Sequence, residues 1–347
     1  MSKFIKPARL HQGDTVAVLS PSSGAAARFP HIQENGIKNL KEIFGLNVKE
    51  YPTSKADSLF LYKNPQKRAE DLNNAFADKE VKAIISNIGG DESVRILKYL
   101  DKETIQANPK IIMGLSDATT YLSYICQMGL VTFYGPAMMT GLSQLKSLPE
   151  AYSHEISDMF FQPKDQYLYK EYPSYSYGYP EWAEKENTGK IKPPQSHEGW
   201  RWLQGEKKAR GTLFGGCIEV LEFMNGTEFW PKPGFWRGKI LFLETSEEKP
   251  TPTDVKRMIR NYGVQNILDK INGLMIATPM FYSDSEKAEL DKAVIEVVAG
   301  EFGRADIPIV SNVLFGHPEP RHIMPSGIRA ELNPKKGTIK LLEPAVT

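Results

Sequence analysis

A chain of 347 residues has room for about two domains, each with its own core. Lys plus Arg number 43 against 42 for Asp plus Glu, so no global field draws the chain to nucleic acid or a membrane surface. The N-terminal MSKFIKPARLHQGD lacks an apolar signal core and no run of about 18 apolar residues occurs, which argues for the cytoplasm and against a membrane span.

In chain order, Thr15–Ser20 (TVAVLS) reads as a buried strand that leaves through Pro21-Ser22-Ser23-Gly24. Ile32–Phe44 has helical spacing and stops at Gly45, and Asn47–Tyr51 returns as a strand. Gln66–Ala77 is a second helix. Val81–Ile88 is a strand entering Gly89-Gly90-Asp91, after which Val94, Leu97 and Leu100 open a further helix. Lys110–Gly114 is the next strand. Leu115-Ser116-Asp117 then turns into a helix marked by Ala118, Tyr121, Leu122, Ile125 and Cys126. This alternation predicts an α/β fold, with a parallel sheet covered by helices through residues 1–140.

Residues 141–210 differ in texture. Leu142–Trp202 is rich in Tyr, Pro, Ser and Glu, and reads as a linker plus an aromatic surface excursion. A second α/β domain, 211–347, follows. Gly215-Gly216 precede a helix, Lys239–Glu244 (KILFLE) is a strand ending in an acid, and Thr253–Tyr262 is a helix. Gly273–Pro279 is a strand, Ser285–Ala299 a helix, and Ile307–Leu314 a strand running into Phe315-Gly316-His317. The stretches Ile328–Leu332 and Thr338–Leu342 read as an antiparallel hairpin. Cys126 and Cys217 sit in apolar helical patterns, read as reduced core residues, and supply neither a disulfide framework nor a metal-site spacing. No dinucleotide or Walker spacing occurs, so neither a metal nor a cofactor is expected.

Three polar side chains stand where apolar strands end: Ser116 after KIIMGL, Glu244 closing KILFLE, and His317 after IVSNVLFG. Ligands of open α/β sheets gather outside the carboxyl ends of strands. Ser, Glu and His are the set a nucleophilic hydrolase needs, with Ser116 on a strand–turn–helix elbow. The N–H groups of Gly89-Gly90 and of Asp117 suit an oxyanion hole. Simpler readings stand beside these. Ser116 or Asp117 also suits a plain helix cap, and so does Asp91; Glu244 also suits a pairing with Lys249; and His322 is a rival base.

The blocks VAVLSPSSG (16–24), IGGDES (88–93), GLSDATTYL (114–122), GTLFGGCIEVLEFMNGT (211–227), LFLETSEE (241–248) and NVLFGHPEPRHIMPSG (312–327) together resemble the serine peptidase family of LD-carboxypeptidases and microcin C self-immunity proteins. The resemblance covers nearly the whole chain. It implies a two-domain fold in which Ser116 matches the nucleophile, Glu244 the triad acid and His317 the base. Asp117 and Gly89-Gly90 match the oxyanion segment. Trp182 is similar to a tryptophan that stacks on adenine in the immunity branch, although aromatic packing with Trp200 and Trp202 explains it as well. Cys217 departs from the small polar residue expected after the glycine pair. The length of Tyr167–Trp202 and the form of IGGDES favour the immunity branch. That branch acts on peptidyl- or aminoacyl-nucleotides, whereas the other branch acts on muropeptides. A homodimer is implied by the resemblance alone, with no nucleic-acid or membrane partner. A non-catalytic nucleotide or peptide binder is the alternative of another class.

Overall fold

The computed structural model describes residues 4–347. Thr15–Leu19, Asn47–Glu50, Val81–Ser86, Ile111–Gly114 and Thr132–Tyr134 form the parallel sheet that the first 135 residues suggest. Its order runs from Thr132–Tyr134 through Ile111–Gly114, Val81–Ser86 and Thr15–Leu19 to Asn47–Glu50. A sixth strand, Met324–Ser326, comes from the far end of the chain and pairs antiparallel with Thr132–Tyr134.

The second sheet has eight strands. Ala209–Cys217, Lys239–Glu244, Gly273–Ala277 and Ile309–Val313 run parallel at its centre. The hairpin Arg329–Asn333 and Thr338–Leu341 extends one side, with Ala330 opposite Leu341. Residues 141–210 carry more regular structure than their composition suggests. They hold the helix Glu150–Phe160, and their strands Tyr167–Leu168 and Arg201–Gln204 close the two edges of this second sheet. One buried apolar cluster runs from the first sheet into the second, joining Val18, Ile84 and Phe133 to Phe242, Met275 and Phe315.

Helix boundaries follow from their caps. Pro30–Phe44 starts on proline and ends at Gly45, whose φ of +67° a glycine adopts without strain. Pro252–Val264 and Asp284–Ile295 open on capping boxes, Thr251 with Asp254 and Ser283 with Glu286. The segment after Gly90 differs from the expected α-helix: Ser93–Tyr99 is a 3₁₀ helix. Among the described residues no helix is long and apolar enough to cross a membrane.

Candidate active site

The carboxyl end of Ile111–Gly114 delivers Ser116 with φ of +59°, a left-handed conformation uncommon for a residue with a side chain. The turn is tight because Gly114 has no side chain: a Cβ there would lie 2.6 Å from Ser86 Oγ and 2.8 Å from the Tyr121 hydroxyl. Ser116 does not cap the helix that follows, since no side-chain capping bond is made there. Its own N–H donates to the Tyr134 hydroxyl at 3.0 Å. The Asp117 carboxylate is buried and turned away, accepting the Ser93 N–H at 2.9 Å. Burial raises its pKa above the usual carboxylate range.

Gly89 lies directly against the serine, where a Cβ would fall 2.8 Å from Ser116 Cβ. Asp91 does not cap the segment that follows; Glu92 holds the cap position and makes no side-chain bond there. Among the described residues, the N–H groups of Gly90 and Asp117 are not taken up by turn or loop backbone bonds.

Glu244 ends Lys239–Glu244 beside Cys217, its register partner. One carboxylate oxygen accepts from the Tyr134 hydroxyl, and the other lies 2.7 Å from His317 Nδ1. Lys249, the alternative partner for Glu244, instead pairs with Glu286 at 2.9 Å. Gly316, at φ +84°, lets the chain pass over this carboxylate, because a Cβ there would sit 2.5 Å from Glu244 Oε2. His317 Nε2 faces Glu247 Oε2 at 2.9 Å. Burial alone would lower the imidazole pKa, but Glu244 first and then Glu247 outweigh it and push it up to about 10. The hydrogen bond from His317 holds Glu247 down to about 2.

Ser116, Gly89, Gly90, His317, Glu247 and Trp182 all line one pocket of about 340 Å³. Trp182 is half-buried, edge-on to Phe29 at 5.7 Å and tilted to Tyr179 at 5.5 Å, and its carbonyl accepts from His31. Trp200 and Trp202 pack elsewhere, against the large core. His322, the rival base, is buried in an aromatic cluster and paired with Glu155 at 2.8 Å. The structure thus gathers Ser116, His317, the glycine pair and Trp182 around one space, with Glu244 directly behind His317. Among the described residues neither imidazole nitrogen bonds Ser116. Sequence reasoning missed Tyr134, which reads only as one more apolar strand residue, and Glu247, one acid of the run TSEEK.

Residues 16–135 match the family model of the LD-carboxypeptidase N-terminal domain, and residues 210–332 match that of the C-terminal domain. The chain is 26% identical to the microcin C7 self-immunity protein MccF of Escherichia coli, covering 97% of this chain and 95% of that protein. It is 29% identical to a Bacillus subtilis protein named "Probable murein peptide carboxypeptidase", covering 96% and 93%. A crystal structure of an MccF-like protein from Streptococcus pneumoniae in complex with AMP superposes with a TM-score of 0.82 at 29% identity, over 95% of this chain and 99% of that one. With both domain models matched in order, the chain belongs to the serine peptidase family of LD-carboxypeptidases and microcin C self-immunity proteins, and is a hydrolase.

Proposed function

We propose that this peptidase cleaves the amide bond of peptidyl- or aminoacyl-nucleotides through a Ser116–Glu244–His317 triad. Ser116 Oγ attacks the carbonyl carbon as its proton passes to His317 Nε2, while Glu244 holds Nδ1–H and stabilises the imidazolium. The N–H groups of Gly90 and Asp117 receive the oxyanion. The proton on Nε2 then goes to the departing amine, and water, activated by the same nitrogen, hydrolyses the acyl-enzyme.

One observation carries this reading: the 2.7 Å Glu244–His317 bond lies at a pocket that also holds Ser116 and an aromatic face, Trp182, suited to a purine. The MccF-like relative in complex with AMP supports a nucleotide in that pocket. A muropeptide tail is the second reading, favoured by the Bacillus subtilis relative. Family resemblance carries the further expectation of a cytoplasmic homodimer.

The test offers an aspartyl sulfamoyl-adenylate and a tetrapeptide muropeptide together and identifies products by mass spectrometry. Wild type should release the sulfamoyl nucleoside, and Ser116→Ala should not. Release of D-alanine alone would transfer the protein to the muropeptide reading, and equal turnover by Ser116→Ala would remove the serine from the mechanism.

A further inference from the structure

We propose that Glu247 is a positioning residue that latches the base, and that Ser116 can attack only after its carboxylate has swung off His317. The idea rests on the triad reading above. An imidazole has two nitrogens. Here Nδ1 is hydrogen-bonded to Glu244 at 2.7 Å and Nε2 lies 2.9 Å from Glu247 in an ion pair, so each nitrogen faces a carboxylate. An imidazolium held in this way has no lone pair left for the serine proton.

The groups around the ring favour that charged form. Glu244 comes from the second sheet and Glu247 from the loop after it. Glu319 and Arg321 follow His317 in its own loop, the Arg321 guanidinium donating to the His317 carbonyl at 3.2 Å. Tyr134 adds a neutral hydroxyl behind Glu244. Glu319 is itself paired with Arg321, so the charge on the ring is set by Glu244 and Glu247. Burial opposes the charge, but Glu244 first and then Glu247 outweigh it and favour the protonated ring.

Only one of the two clamping carboxylates is free to leave. Glu244 is 1% exposed in its side chain and held by Tyr134 as well, whereas the Glu247 side chain is 56% exposed. The backbone carrying Glu247 is fixed on both sides. Ser246 donates its N–H and hydroxyl to Glu219 at 2.9 and 2.8 Å, and on the other side Lys249 pairs with Glu286 while Tyr282 bonds the Pro250 carbonyl. Release is therefore a side-chain rotation toward water, and the loop need not unfold.

The test measures the rate at which a fluorophosphonate labels Ser116 of the full chain from pH 5.5 to 10, in wild type, Glu247→Ala and Glu247→Gln. Wild-type labelling should rise through the alkaline range. Both variants should move the midpoint down by at least one pH unit, so that labelling at pH 7 rises about tenfold. A change of packing alone would not move a midpoint. Unchanged midpoints in both folded variants, or slower labelling at pH 7, would overturn the latch. Failure of wild type to label Ser116 at any pH would remove the triad itself, and the latch with it.

Discussion

Tyr134 ties the nucleophile to the acid, and Tyr134→Phe isolates that link. The phenol is 2% exposed; it accepts the Ser116 N–H at 3.0 Å and donates to Glu244. Phenylalanine preserves the ring, its packing against Phe242 and nearly all the volume, so no cavity confuses the result. What changes is that a part-buried N–H and one buried carboxylate oxygen each lose a partner. Leaving a buried polar group unpaired costs ~1–3 kcal/mol, so the carboxylate alone should destabilise the fold by about that much. The elbow also loses one restraint on its left-handed serine, so kcat should fall at least ~10-fold with KM little changed, as befits an interaction that matters in the transition state. Urea denaturation followed by circular dichroism, paired with steady-state kinetics on the adenylate, measures both. Stability within ~0.5 kcal/mol of wild type together with unaltered kcat would show that the bridge holds neither residue.

The other predictions concern the same pocket. Gly89→Ala should lower kcat ~100-fold while leaving the protein folded: the new Cβ falls 2.8 Å from Ser116 Cβ where ~3.5–4.0 Å is comfortable, and a nucleophile displaced by ~1 Å loses about that much; a fully active, folded variant would refute the close approach. Trp182→Ala should raise KM for a nucleotide substrate ~5–150-fold, the equivalent of ~1–3 kcal/mol of stacking, and leave a substrate without a base unaffected. Equal losses on both substrates would count against stacking. His317, raised to about 10 in the fold against ~6.5 in an unfolded chain, contributes stability that is complete below pH ~6.5 and disappears as pH climbs toward 10. Wild type should therefore lose urea resistance between pH 6 and 9.5 more steeply than His317→Gln, and parallel curves would contradict the charged imidazole.

Much of this was legible because it is local. Short apolar runs ended by glycine, proline or a capping residue gave the strands and helices, and the polar residues that close such runs sit at strand ends by construction. What escaped was either long-range or ambiguous in period. Val94, Leu97 and Leu100 repeat every three residues, which suits 3₁₀ geometry as well as an α-helix. The Asp117 carboxylate then fixes the start of that segment through the Ser93 N–H. Two- and three-residue strands such as Tyr167–Leu168 and Met324–Ser326 are too short to show alternation, and the second contains Pro325, which its edge position tolerates. Tyr134 and Glu244 lie 110 positions apart, and nothing in VTFY marks the tyrosine as a bridge rather than core.

The nucleophile comes from one sheet, and its acid comes from the other, so catalytic geometry depends on how firmly the halves are joined. Several ties among the described residues cross that junction, three of them close to the site. Met324–Ser326 leaves the C-terminal half to pair with Thr132–Tyr134. Tyr134 reaches Glu244. The Cys217 N–H donates to Thr119 Oγ1 at 3.0 Å, a contact that Gly216 permits because a Cβ there would fall 2.5 Å from the same oxygen. A hydrogen-bonded edge strand, buried polar contacts and one continuous apolar cluster resist hinge motion more than a single surface contact would. Opening and closing of whole domains is thus a poor candidate for controlling the reaction. The part of the pocket able to move at small cost is the exposed side chain of Glu247, which places control of the base in one rotatable carboxylate rather than in the docking of the halves.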